Sequence, residues 1–206
     1  MSGTYVDAGS LDERLEILAL REEPTGTFSW QVLRRSWAKA QLSSKRSVFS
    51  ARAVGAPGVT FTLRRQDLSP ANAIAWRGQH CLLTFLCPLG RTHMTVDAAL
   101  VETVLCRAKG AAELTLGELN RPQLTHSGDL TFPAVVAERY VRSGEGEPYD
   151  TLERSLVLTV PKAVPLLPEG RLVTIDGNAA GTYEIRAGHP LDRWVTEYEV
   201  LRREDL

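Results

Sequence analysis

Apolar and polar residues alternate along most of this chain with a period of two, and few stretches show a helical period. Residues 59–64 read Val-Thr-Phe-Thr-Leu-Arg, which sets Val59, Phe61 and Leu63 on one face and predicts a strand. Residues 36–42 place Trp37 on the opposite side from Ala38, Ala40 and Leu42, again a strand pattern. Residues 11–21 are ambiguous. Asp12, Glu13 and Glu16 suit a helix start capped by Ser10, but the segment runs into the turn Pro24-Thr25-Gly26 and an alternating Phe28-Ser-Trp-Gln-Val-Leu. A β-hairpin with an optional helical start is the expectation. Residues 43–58 have the small, polar composition of a long loop, ending in Gly55, Pro57 and Gly58.

The same order then recurs. Residues 74–102 and 172–201 each read as a short strand, a tight turn at Gly78 or Gly177, a second strand, a break and a longer final strand. Before the second copy, residues 132–141 match the Trp37 strand, the glycine-containing 142–150 matches the 43–58 loop, and 155–160 matches the Val59 strand. A repeat of roughly a hundred residues is a duplicated domain, since solenoid units are shorter. The expected architecture is all-β, with two tandem small barrels or sandwiches. Its parts are a mobile tail over 1–10, a first module over 11–108, a linker over 109–129 in which 111–116 can form its own strand, and a second module over 130–206.

Composition adds little to this fold class and narrows the function. The chain has 206 residues, 43% apolar and 24% charged, which is the composition of a globular protein. No apolar run nears the roughly 20 residues of a membrane helix, and residues 1–10 do not read as a signal peptide. Three cysteines (81, 87 and 106), an odd number, point to reduced thiols rather than a disulfide framework. The net charge of −1 gives no global attraction for nucleic acid. Locally the charge is polarised. Between Pro24 and Gln66 lie Arg34, Arg35, Lys39, Lys45, Arg46, Arg52, Arg64 and Arg65 with no acid, whereas 138–153 is rich in acids, including Glu145, Glu147 and Asp150.

Candidate chemistry is sparse. His80, Cys81, Cys87 and His93 do not have zinc spacing: on one strand Cys81 and Cys87 lie about 20 Å apart at ~3.3 Å per residue. The sequence Asp176-Gly-Asn-Ala-Ala-Gly181 lacks the Lys-Ser/Thr of a phosphate loop and reads as a hairpin turn. The acidic loop around Glu145 lacks the ladder of a calcium site. Neither a Gly-x-Ser-x-Gly elbow nor a His-Glu-x-x-His motif occurs. The expectation is therefore a non-enzymatic protein without metal or cofactor, whose tryptophans 30, 37, 76 and 194 anchor a core or a subunit interface.

The first module resembles the phage head–tail joining family, the small β-barrel proteins called head completion, head closure or stopper proteins. The likeness rests on Arg14-Leu15-Glu16-Ile17-Leu18, Trp30, Trp37-Ala38, Val59-Thr60-Phe61-Thr62-Leu63-Arg64, Trp76-Arg77-Gly78 and the β-rich 94–106. It covers about half the chain well and the rest loosely through the duplication. Two departures stand out: family members usually hold a single module, and the second copy shows no counterpart of the first hairpin. The resemblance implies a structural virion protein of the neck, made in the host bacterial cytoplasm, which forms a ring of six or twelve copies beneath the portal and adaptor. Such a ring closes the DNA-filled head and receives a tail terminator or tail tube protein, with no membrane partner. Apolar side chains on both strand faces near residues 82–86 suit subunit packing. By the same resemblance the 43–58 loop faces the channel, where Lys45, Arg46, Phe49 and Arg52 would meet the end of packaged double-stranded DNA. Trp30, Trp37, Arg34, Arg35, Glu145, Glu147 and Asp150 are the candidate subunit or neighbour contacts. The alternatives are a tail-completion or terminator protein of the same particle, or an oligonucleotide-binding β-barrel using the basic 34–65 segment.

Overall fold

The computed structural model describes residues 6–48, 55–116, 122–143, 151–190 and 193–203. It is an all-β protein of two six-stranded closed barrels. The chain divides into two compact units, one of residues 1–21 and 30–103 and a second of 22–29 and 104–206.

The first barrel is built from β1 (Glu13–Glu22), β2 (Phe28–Val48), β3 (Gly55–Arg64), β4 (Asn72–Trp76), β5 (Gln79–Leu89) and β6 (His93–Val101), in the closed order β1-β2-β3-β6-β5-β4. From Glu13 on, the 11–21 segment thus resolves as strand, because alternation brings Leu15 and Ile17 to the interior, where both are fully buried. Helical structure here is one 3-10 turn, Ala8–Ser10, within the segment expected to be a mobile tail. Asp7 organises it, its carbonyl accepting from the Ser10 amide at 3.0 Å and its Oδ1 from the Gly9 amide at 3.0 Å.

The second barrel uses β7 (Thr103–Ala108), β10 (Leu130–Ser143), β11 (Thr151–Pro161), β12 (Leu172–Ile175), β13 (Gly181–Pro190) and β14 (Val195–Arg202), closed as β10-β11-β14-β13-β12-β7. Taking β7, β10, β11, β12, β13 and β14 as the counterparts of β1 to β6, this is the cyclic order of the first barrel. The register agrees residue by residue. Ala40 faces Phe61 and Phe61 faces Val96, as Val136 faces Leu158 and Leu158 faces Tyr198. Ile17 faces Ile74 as Ala108 faces Val173. Even the bulges coincide: Thr84 interrupts β5 between Leu83 and Phe85, and Arg186 interrupts β13 between Ile185 and Ala187. A bulge at that position bends the strand around the barrel and reverses the facing of the residues beyond it. In β5 it turns Phe85 outward, where it is exposed, and Leu86 inward toward the core.

Two boundaries differ from the sequence reading. The first module was expected to run to 108, but β6 ends at Val101 and β7 pairs with β12, Cys106 facing Ile175. The missing counterpart of β1 is therefore β7. The expected linker 109–129 contains β8 (Ala111–Leu116) paired with β9 (Pro122–Ser127) as a two-stranded hairpin inserted between β7 and β10. The hairpin satisfies its backbone locally, so a glycine-containing, apolar-poor segment still forms a ladder.

The expected 43–58 loop is also largely strand. Past a register shift between Ser43 and Arg46, β2 and β3 stay paired to Val48 and Gly55. Because the β3–β6 ladder ends at Gly58 and Ala99, this extension is a two-stranded ribbon. Pro57 is tolerated there since its other side has no ladder to serve. Leu42, on the same side of β2 as Ala38 by alternation, is exposed near where the ribbon begins. In the second barrel β10 and β11 stay paired to Ser143 and Thr151, past the last β11–β14 pair at Leu156.

Each barrel encloses its own core. In the first, Phe61 and Trp76 meet edge to face with ring centroids 5.6 Å apart, among small residues such as Ala38 and Ala98. In the second, Tyr198 lies against Gly188, and its hydroxyl accepts the Leu167 amide proton at 3.0 Å. Leu167, on the β11–β12 connection, is buried, and Leu68, on the matching β3–β4 connection, packs against the first core.

Candidate interaction surface

On the outer face of β2 the side chains of Leu33, Arg35, Trp37 and Lys39 follow one another at period two, and all are exposed. The alternation that buries Ala38 completely leaves Trp37 58% accessible, although tryptophan side chains are usually well covered. Trp37 lines a cleft of about 610 Å³ together with Leu11, Arg35, Ser36 and Arg64. Arg64 also lines a second cleft of about 540 Å³ with Arg65, Arg91, Thr92 and His93. Local geometry explains the gathering: Arg64 ends β3 opposite His93 at the start of β6, the Arg65 amide donates to the Thr92 carbonyl at 2.8 Å, and Arg91 occupies the β5–β6 turn.

The cations on this surface are not equivalent. Arg35 is engaged, its Nε 2.9 Å from Glu16 Oε1. Arg34 donates to the Asp67 carbonyl. Arg64, Arg65 and Arg91 make no salt bridge among the described residues. Sequence reasoning singled out Arg34 and Arg35, named Arg64 and Arg65 only as part of the basic 34–65 segment, and passed over Arg91. The doublet after the Val59 strand and a basic turn residue one hairpin later were the available signal, and the β3–β6 register is what joins them.

The other candidates are placed as follows. Lys45 and Arg46 lie on the β2 ribbon, and Phe49 and Arg52 fall outside the described residues, as do Glu145, Glu147 and Asp150. Trp76 is core. Its indole Nε1 donates to Glu13 Oε2 at 3.0 Å, and Arg77, whose φ of 51° and that of Gly78 at 78° make the tight turn, also pairs with Glu13. Hydrogen bonds from Arg77 and then Trp76 hold the Glu13 carboxyl below its usual range. Trp30 is half-buried, its ring 5.1 Å from that of His80. Trp194 stacks under the Arg193 guanidinium at 4.5 Å.

His80 borders a third cleft, about 470 Å³, with Gln79, Glu102 and Thr103. Burial drives its pKa down to about 4, and its Nε2 is hidden without a hydrogen-bond partner. It is therefore a neutral ring at pH 7. Cys81 and Cys106 are pushed up to about 12 by burial, while Cys87 is partly exposed. With a thiol reagent at pH 8 the folded protein should react at Cys87 alone, and all three cysteines should react in denaturant. Mass spectrometry of the labelled peptides checks this. Rapid native labelling of Cys81 would show that the first barrel opens. No group of three His, Cys, Asp or Glu residues converges in a metal-binding arrangement among the described residues.

The chain matches no protein-family model and no curated protein sequence.

Proposed function

We propose that this chain is a structural protein of the tailed-phage neck. In this reading it forms a ring below the portal and adaptor, closes the DNA-filled head and presents the surface on which the tail docks. The observation that carries the proposal is the exposed row on β2, where Trp37 and Leu33 stand among arginines on a rigid barrel wall. Tryptophan and arginine are the residues that anchor protein–protein contacts, and a strand holds them with little entropy left to lose. The resemblance in residues 14–18, 37–38, 59–64 and 76–78 supplies the place in the particle. The work is assembly: copies pack side to side, one ring face meets portal and adaptor, and the other meets the tail terminator or tail tube protein. The basic β2–β3 ribbon, which carries Lys45 and Arg46, is the part offered to the end of the DNA.

A second reading, an oligonucleotide-binding barrel, is favoured by Arg64, which lines one cleft with the exposed Trp37 and another with Arg65 and Arg91, since aromatic stacking and phosphate attraction together hold single strands. Cryo-electron microscopy of source particles, focused on the neck, separates the readings. Density for this chain as a ring between portal and tail is the expected result. Its absence from the neck, with salt-dependent binding of single strands by the isolated chain, would replace the connector by the binding module. A ring at the tail's upper end rather than under the portal would make it the tail-completion or terminator protein.

A further inference from the structure

We infer that the arginine-lined end of the first barrel is a contact for a second copy of this chain, which brings a carboxylate-bearing segment to it. The inference rests on the ring reading above and names the faces that would join. Three guanidiniums, those of Arg64, Arg65 and Arg91, gather around two clefts that share Arg64, and none has an ion-pair partner among the described residues. Unpaired like charges held together repel one another, so an arrangement that keeps them is relieved when an anion arrives.

Two features favour a protein carboxylate over a phosphate backbone, although the planar guanidinium fork itself pairs at two points with either. Trp37, in the wall of the first cleft, offers a large apolar face, which rewards a partner able to exclude water from it. Finally, the chain carries 24 basic and 25 acidic residues, so the complement to a locally basic face lies on the same chain. Its longest run of acids without an intervening base begins with Glu145, Glu147 and Asp150, on the β10–β11 connection. A face on one module pairing with a segment of the other module in the next copy is a head-to-tail contact, the kind that closes into rings.

Sedimentation velocity across a concentration series tests this. The proteins are the wild type, Arg64→Glu/Arg91→Glu, Glu145→Arg/Glu147→Arg/Asp150→Arg, and an equimolar mixture of the two variants. Circular dichroism confirms that each is folded. Each variant alone should associate at least about tenfold more weakly than the wild type, and the mixture should regain association through the restored opposite charges. Variants that assemble like the wild type would overturn the contact while leaving the ring reading intact. A wild type that stays monomeric at all concentrations would overturn both. Loss of duplex DNA binding by the arginine variant with unchanged assembly would reassign the face to nucleic acid.

Discussion

Replacing Phe61 by alanine should lower stability by about 3–5 kcal/mol, a large share of the roughly 5–15 kcal/mol that holds a protein of this kind together. The side chain is fully buried at the centre of β3. Its cross-strand neighbours are Ala40 and Val96, too short to reach into the space it leaves, and Trp76 would lose the edge-to-face contact. A barrel wall tied by a continuous ladder cannot move inward to fill the hole, so the cavity contribution adds to the transfer contribution. Urea unfolding followed by tryptophan fluorescence measures the effect. A loss below about 1 kcal/mol would mean that the core repacks freely, contrary to the packing described. Phe61→Leu, which copies the residue at the matching position 158, should lose less.

Acid should weaken the first barrel through His80. Its folded pKa lies near 4 against an ordinary 6.5, and burial is the cause. Between those values the unfolded chain binds the proton and the folded one does not, so stability falls as pH drops from about 6.5 toward 4 and is insensitive to this group above that range. The full shift corresponds to about 3 kcal/mol. The expected result is a urea midpoint that falls more steeply from pH 7 to pH 4 in the wild type than in His80→Leu, whose difference removes the contribution of the carboxylates. Parallel pH curves for the two proteins would show that the ring gains a proton in place and is less shielded than its contact with Trp30 implies.

The fold class was legible because barrel strands buried on one face alternate, and residues 59–64 do so without interruption. The duplication was legible because turns fall at matching places, Gly78 and Gly177. Strand pairing beyond the core was not. The β2–β3 ribbon and the β8–β9 hairpin are stabilised by backbone hydrogen bonds, which small and polar side chains neither encourage nor forbid. The module boundary was missed because one residue, Glu102, separates β6 from β7, and a single break in an apolar run does not say that the next strand joins another sheet. The bulges were hidden too, so Phe85 read as one of a run of apolar residues rather than as an outward side chain. Of the interaction surface, Trp37 was visible from period two alone. Arg91 was not, because its neighbourhood with Arg64 and Arg65 depends on which hairpins lie side by side.

The matched registers also bear on the history of the sequence. Where the first barrel sets Leu86 against Val96, the second sets Gly188 against Tyr198. A β-carbon at 188 would stand 3.1 Å from the Tyr198 ring, closer than ordinary packing allows. If both modules descend from one ancestor with a side chain at that position, the tyrosine was crowded until the glycine was present. The order of those two substitutions was therefore biased: the glycine is favoured to precede or accompany the tyrosine, and a side chain restored at 188 first would force the Tyr198 ring to give by a few tenths of an ångström.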